Sequence, residues 1–304
     1  MYSTAELAEM LRAVPAPSIV GVGDDVLDCY LHEDLAYPGG NALNVAVYSR
    51  LFFRAESAFV GIVGTDRFAE HLLSVLDDIG VDHTRARRAQ GPNGMAFVSL
   101  DAEGDRRFVG SNYGGVQHGL RLRVTPQDLD FLQTYDRVHT SVYSAIETEL
   151  PALAERGVKV SYDFSDDAPA SVVEKVGSHV DVGFFSGGSL SDADVDALGA
   201  FAVECGVGVA IVTLGSRGAR AYAATSRASA GILSVDAVDA LGAGDAFITG
   251  FLAARASGED LDGCLRTAAT SGALACMQRG AFGYPVEAGE EARAQLIRRY
   301  DAVV

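Results

Sequence analysis

From Pro126 onward the sequence alternates short β-rich runs with stretches of helical period, and that rhythm restricts the possible folds more than any other feature. Strand-like runs fall at Arg137–Thr140, Val158–Asp163, Val182–Phe185 and Val207–Leu214, with room for a helix between successive runs. Apolar strands spaced this way are buried on both faces and joined by crossover helices, which predicts a parallel sheet with helices on both sides. Ala243–Ala256 and Asp262–Met277 read as two closing helices. Upstream, Ser18–Val22 and Ala58–Val63 extend the same sheet, with helices predicted over Asn41–Leu51 and Arg67–Ile79. A short amphipathic helix through Leu7, Met10 and Leu11 ends before Pro15 and Pro17. The material at about 28–38 and 92–113 breaks the rhythm. Met95–Leu100 and Arg106–Ser111 alternate in polarity around Ala102-Glu103-Gly104-Asp105, a hairpin pattern. Short strands outside a main sheet are expected to form a lid over a ligand site. The expectation is one α/β domain over residues 1–304, a doubly wound, mostly parallel sheet flanked by helices with a small β-sheet lid.

Charge narrows the partners. The chain carries 24 basic and 41 acidic residues, a net charge of −17, which repels phosphate backbones and argues against nucleic acid. A local anion site can still oppose that field and take a nucleotide. Cys29, Cys205, Cys264 and Cys276 are scattered without a Cys-x-x-Cys pair, as in a reduced, cytoplasmic protein. No apolar run is long enough to cross a bilayer, and Met1 to Arg12 lacks the pattern of a secretion signal.

The chemistry concentrates in Asp239-Ala240-Leu241-Gly242-Ala243-Gly244-Asp245, directly ahead of a helix. Glycines let the backbone approach a ligand, and a helix start offers unpaired N–H groups and a positive dipole end. Phosphoryl transfer needs such an anion hole and a carboxylate beside the attacking hydroxyl, the place Asp245 would take. The bland reading is a glycine-rich helix start with Asp245 as its cap. A second glycine motif, Pro38-Gly39-Gly40-Asn41-Ala42-Leu43-Asn44, also runs from a loop into a helix, and Asn44 can donate to and accept from a sugar hydroxyl. Asp24 and Asp28 follow the first strand, at the sheet end where open α/β folds bind ligands. Thr213-Leu214-Gly215-Ser216-Arg217-Gly218 follows the most apolar strand and offers backbone groups and a hydroxyl to a nucleotide, or serves as a strand-end turn.

Taken in this order, the three motifs resemble those of the ribokinase-like (PfkB) carbohydrate kinases, from about Val20 to Gly283. The early Gly-Gly-Asn and late Gly-Ala-Gly-Asp segments are that family's two signatures. The resemblance implies ATP-dependent phosphorylation of a small sugar, with Mg2+; separately, the exposed strand edges of the lid need cover, and a homodimer that pairs lids is expected to supply it. Asp245 would be the general base, and the N–H groups of Gly242, Ala243 and Gly244 the anion hole. Thr213, Gly215, Ser216 and Gly218 would lie beside the nucleotide; Asp24, Asp28, Gly39, Gly40 and Asn44 would hold the sugar. A monovalent cation such as K+ would sit by Asp239 and the carbonyls of Leu241, Ala275, Gln278 and Gly280. Two departures bear on the metals. Ala240 stands where the family usually has Thr, and Ser186-Gly187-Gly188-Ser189 where it often has Asn-x-x-Glu, which leaves Mg2+ to water and ATP phosphates.

Within the family, Gly23-Asp24 with Asp28, the run from Gly39 to Tyr48, and Asp163-Phe164-Ser165-Asp166 are most similar to the fructoselysine 6-kinase branch. That similarity implies an Amadori-type sugar amine, phosphorylated on its 6-hydroxyl, with Asp166, Asp167 and Glu147 as conceivable partners for the amine. The alternatives are a kinase for another sugar or a nucleoside (ribose, fructose or 2-keto-3-deoxygluconate type) and a sugar- or nucleotide-binding regulator. His139, Arg106, Arg107, Tyr113 and Tyr143 could each face the substrate, though hydrogen-bonded, solvated or rim-packing roles serve them equally well.

Overall fold

The computed structural model describes residues 2–100, 106–166 and 168–299. In chain order its first seven strands are β1 Ile19–Gly23, β2 Val26–Tyr30, β3 Leu35–Gly39, β4 Ser57–Val63, β5 Arg87–Arg88, β6 Met95–Leu100 and β7 Arg106–Ser111. They are followed by β8 Arg137–Ser141, β9 Val160–Asp163, β10 Val182–Ser186, β11 Val209–Thr213, β12 Ala219–Ala223, β13 Arg227–Ala230, β14 Val286–Glu287 and β15 Arg298–Arg299. The helices are α1 Thr4–Arg12, α2 Asn41–Phe53, α3 Arg67–Ile79, α4 Val116–Gly119, α5 Pro126–Leu132 and α6 Leu150–Glu155. The last five are α7 Ala170–Val176, α8 Asp192–Glu204, α9 Ala243–Ala256, α10 Leu261–Cys276 and α11 Gly289–Ala294.

The βα rhythm builds a large sheet in the order β13-β12-β11-β10-β9-β8-β1-β4-β5. Its strands from β11 to β5 pair in parallel, and β12 and β13 add an antiparallel margin. Every residue of β1, β4 and β8 is buried, as strands covered on both faces require. On one face, Ile19, Phe184 and Ile211 pack with Val45 of α2 and Phe251 and Leu265 of α9 and α10. On the other, Val20, Val138 and Val212 meet Leu132, Leu153, Val173 and Val195 from α5 to α8. Local signals agree with these positions. Asp66 caps α3 by accepting from the Ala69 N–H, Phe68, Leu72, Val75, Leu76 and Ile79 form its buried stripe, and Gly80 ends it in the left-handed conformation.

A smaller sheet takes the material outside the rhythm, in the order β14-β3-β2-β6-β7-β15. Its core strands match the segments expected at 28–38 and 92–113, with β2 and β6 paired in parallel. The turn expected at Ala102–Asp105 lies outside the described residues. The sequence reading missed β14 and β15, which lay two-residue strands along β3 and β7. The C-terminal chain therefore covers part of both margins of this sheet, and the premise of open edges seeking a partner lid is weakened.

Candidate active site at the carboxyl ends of the central strands

β1 is the point where strand order reverses, since the chain leaves it toward β4 on one side and returns at β8 on the other. Open α/β sheets bind ligands at the carboxyl ends beside such a reversal. Here the ends of β1, β8 and β9 present Asp24, Ser141 and Asp163, and the starts of α2 and α9 aim Asn41, Asn44 and Asp245 at the same place.

Asp245 sits in the first turn of α9 and is held from two sides. Its Oδ1 accepts from Asn41 Nδ2 at 2.7 Å and its Oδ2 from Asn44 Nδ2 at 2.6 Å. Asn41 Nδ2 also donates to Asp163 Oδ2 at 2.8 Å, so one amide bridges two carboxylates. That use of the amide leaves Asn41 Oδ1 as an acceptor, facing His139 Nε2 at 2.9 Å. His139 is fully buried, and desolvation pushes its pKa down to about 3, so the ring is neutral. Its Nε2 must then carry the proton donated to Asn41, and Nδ1 accepts from the Ser161 hydroxyl at 2.9 Å. Protein atoms crowd Asp245 although part of its surface stays open. Desolvation raises its pKa to about 8, with Asp163 and Asp24 adding repulsion and the two asparagines opposing. Asp163 is raised to about 7, again chiefly by desolvation. A carboxylate held near neutrality can accept a proton and release it.

The expected sugar ligands divide into two kinds. Asp24 is committed to the fold. Its Oδ2 accepts from Asn41 N–H at 2.6 Å, and its Oδ1 from the Ser141 and Ser144 hydroxyls, both at 2.9 Å. It thereby caps α2, whose own N-cap, Gly40, has no side chain to do so. Asp28 and Asn44 instead face Gly39: a Cβ there would stand 2.3 Å from Asp28 Oδ2 and 3.9 Å from Asn44 Oδ1. Glycine is thus required for the Asp28 carboxylate to lie against the backbone. Asn44 Oδ1 is buried and has no hydrogen-bond partner among the described residues, which leaves an acceptor for a ligand hydroxyl beside Asp245.

Past Asp245, a cavity of about 470 Å3 runs along α9 and α10. Thr213, Gly215, Ser216 and Gly218 line one side and Ala243, Gly244 and Phe247 another. Gly244 faces open space, and its N–H and those of Gly242 and Asp245 meet no acceptor among the described residues; the Ala243 N–H donates to the Ala240 carbonyl at 3.2 Å. The loop after β10, Ser186 to Ser189, offers no carboxylate. Arg217 Nη2 donates instead to the carbonyls of Gly187, Gly188 and Leu190. Among the described residues no three His, Cys, Asp or Glu side chains converge to hold a metal ion. Asp239, expected at a cation, accepts from Leu241 N–H at 2.7 Å, the Tyr30 hydroxyl at 2.8 Å and Gly280 N–H at 3.1 Å. It joins the smaller sheet to the start of α9.

Residues 24–287 match the family model described as pfkB family carbohydrate kinase. The chain belongs to that family. It is 43% identical over 266 residues to a fructosamine kinase of Bacillus subtilis, covering 88% of this chain and 93% of that one. To a fructoselysine 6-kinase of Escherichia coli it is 29% identical over 265 residues, 87% of this chain and 99% of the other. A ribokinase of Arabidopsis thaliana, solved with ribose and ATP, superposes with a TM-score of 0.73 at 20% identity, covering 93% and 99% of the two chains. That likeness shows the fold. The chain is a carbohydrate kinase.

In this PfkB chain the structure brings Asp28, Gly39, Gly40, Asn44 and Asp245 together and sets Thr213, Gly215, Ser216 and Gly218 along the cavity beside them. Ala275 closes the last turn of α10, and Gln278 and Gly280 follow its end, where Gly280 meets Asp239; the Ala275 carbonyl accepts from Gln278 N–H at 3.3 Å. The sequence reading gave Asn41 no site role of its own within the second glycine motif and left Asp163 among branch-similarity residues, yet both touch the Asp245 network. The position of Asp163 at the carboxyl end of a predicted strand was the available signal. Glu147 accepts from the Tyr162 hydroxyl at 2.8 Å, Asp166 is exposed, and Asp167 lies outside the described residues. Tyr143 is exposed and meets Ser165 Oγ at 2.6 Å on the rim, Arg107 is exposed, and Tyr113 stacks obliquely on His118. The Arg106 side chain is outside the described residues.

Proposed function

We propose that this kinase phosphorylates the 6-hydroxyl of a fructosamine, an Amadori-type sugar amine. The observation that carries the site is the unpartnered Asn44 Oδ1 beside Asp245, a buried acceptor next to a candidate base. The sugar lies between Asp28, Asn44 and the Gly39–Gly40 backbone, with its primary hydroxyl against Asp245. Asp245 takes the hydroxyl proton as the oxygen attacks the γ-phosphorus of ATP in line. One P–O bond forms and the bond to the ADP oxygen breaks, while the free N–H groups of Gly242 and Gly244 steady the developing charge. ATP occupies the cavity beside Thr213 and Ser216, and the smaller sheet closes over the sugar as a lid. The loop after β10 does not fit a protein-held Mg2+, because Arg217 and not a carboxylate occupies it; the ion comes with the ATP phosphates. K+ at Asp239 would share a carboxylate that already takes three donors. The four cysteines are free thiols, which supports a reducing, cytoplasmic setting.

Identity of 43% to a fructosamine kinase supports the substrate class, and the exposed Asp166 is the carboxylate this reading assigns to its amine. Asp245→Asn is expected to lower kcat by about 10²–10⁴-fold while calorimetry shows ATP binding retained; an active variant removes Asp245 as base. A panel of fructosamines, fructose, ribose and nucleosides tests the substrate. Preference for ribose or a nucleoside would overturn it.

A further inference from the structure

At the opposite end of the sheet, beneath the amino ends of β8 to β11, lies a cavity of about 690 Å3 that the kinase reaction does not use. Arg137, Lys159 and Arg255 line it, together with Asp136, Asp181 and Ser257. Arg137 is the unusual member. It is 8% exposed, its Nη1 is buried without a hydrogen-bond partner, and its guanidinium makes no hydrogen bond among the described residues. The acid that comes closest to its guanidinium among the described residues, Asp181, stands 3.8 Å from Nη1 and already accepts from Val160 N–H at 2.8 Å through the same Oδ2. Asp136 turns its Oδ2 to the Ser18 N–H and hydroxyl at 2.8 and 2.9 Å. Lys159 and Arg255 are exposed and form no ion pair among the described residues.

A buried guanidinium with five donors and no close acceptor is costly, and a fold retains one when something outside the chain completes it. Two more cations converge on the same space in a chain whose net charge is −17. Among the described residues ten other arginines face acids directly, as Arg85 and Arg87 do on Asp128. The carbonyl end of α9 opposes an anion only weakly, because Ala253, Ala254 and Arg255 carbonyls accept from Ser257, Glu259 and Gly258 N–H groups. The wall is also fixed, since the Ser257 hydroxyl donates to the Pro15 carbonyl at 2.6 Å and ties the linker before β1 to the end of α9.

We infer that Arg137, Lys159 and Arg255 form a second anion site, separate from the ATP cleft, that takes a phosphate dianion carried by a small metabolite. The guanidiniums match phosphate oxygens in planar pairs. The cavity exceeds what a lone phosphate fills, and the free edges of Asp136 and Asp181 suit hydroxyls on the remainder of the ligand. Occupancy would also reach the catalytic end. Arg137 precedes His139 by two residues on the same face of β8, and His139 holds Asn41 against Asp245.

The test fills the ATP cleft first. Enzyme saturated with a non-hydrolysable ATP analogue and Mg2+ is titrated calorimetrically with fructose 6-phosphate, and separately with inorganic phosphate at matched ionic strength. One remaining site is expected, tighter for the sugar phosphate, and weakened about tenfold or more in Arg255→Gln, which loses a charge-assisted contact. Arg137→Met is expected to lose the site and to melt above the wild type without phosphate, because a buried charge whose guanidinium has no hydrogen-bonded acceptor among the described residues has gone. Should Arg137→Met fail to fold, Arg255→Gln and Lys159→Gln, both at exposed positions, carry the test. Tighter binding of free phosphate than of the ester would overturn the metabolite assignment. Absence of a site once the cleft is filled, or affinity unchanged in the variants, would overturn the whole inference.

Discussion

Replacing Asn41 by alanine removes the donor shared by Asp163 and Asp245 and the acceptor that fixes His139. Hydrogen bonds to an ionised carboxylate favour the ionised form, so losing one raises the pKa of the base. In the wild type the ascending limb of kcat/KM against pH is expected near the Asp245 value of about 8. In Asn41→Ala that limb moves to higher pH by about one unit, the scale of one charge-assisted bond. A residue that only caps α2 would change stability and leave the limb where it was. His139→Leu should act in the same direction more weakly, since it frees the amide to rotate without removing it. A limb that stays in place in both variants would show that the asparagine does not tune the base.

At the scale of elements, the active site is a meeting of two helix starts over three strand ends, and one of its tight joints is at Gly242. Gly242 is left-handed with φ 73°, and a Cβ there would come within 2.4 Å of Tyr48 Oη and 2.8 Å of Ala281 Cβ. Tyr48 is fully buried in α2 and donates to the Ala281 carbonyl, so neither neighbour can retreat freely. Gly242→Ala therefore combines backbone strain with overpacking, and should cost roughly 2–4 kcal/mol of stability in denaturant titrations, with activity falling as α9 is displaced. Gly244→Ala meets open space in the ligand-free enzyme, and should keep stability while weakening ATP binding. Equal loss in both variants would contradict this division of labour. The glycine motif itself was legible, and so was α9, whose bounds at Ala243–Ala256 match the reading. What the motif could not show is that one glycine serves packing and the other a ligand, because Tyr48 and Ala281 arrive from distant segments. For the same reason Asp24 read as a sugar ligand: its spacing from the first strand is right, but only the fold brings Ser141, Ser144 and the start of α2 to it. The two-residue strands β14 and β15 gave no periodicity to detect, and pairing with β3 and β7 alone defines them.

Across the whole molecule, the burial of acids makes stability depend on pH in an unusual direction. Desolvation raises Asp25, Asp163 and Asp245 to about 8, 7 and 8. Asp25 is fully buried at the root of the smaller sheet. It accepts from Asn93 Nδ2 at 2.8 Å and Gln117 Nε2 at 2.6 Å, while Asn93 in turn accepts from Gly64 N–H of the large sheet's side at 2.9 Å. A group whose folded pKa lies above its unfolded value near 3.8 binds its proton more tightly in the native state. Its contribution is complete below about pH 4 and is lost as pH rises toward 8. His139, lowered to about 3, works the other way, since below about pH 6.5 only the unfolded chain protonates it. Three acids against one histidine leave the acids ahead, so the melting temperature of the ligand-free enzyme should fall steadily from about pH 5 to pH 8.5. Each acid contributes a slope of at most about 1.4 kcal/mol per pH unit where its two states differ by one full proton. Asp25→Asn removes one such group from the root of the smaller sheet and leaves Asp163 and Asp245 in place, so its melting curve should be flatter over the same range. The two cleft acids supply the remaining slope, and ATP analogue with Mg2+, which favours their ionised forms, should flatten it further. A melting temperature that rises between pH 5 and 8 would mean that these carboxylates are ionised throughout, and Asp25 would then be an anion held by Asn93 and Gln117 rather than a buried acid.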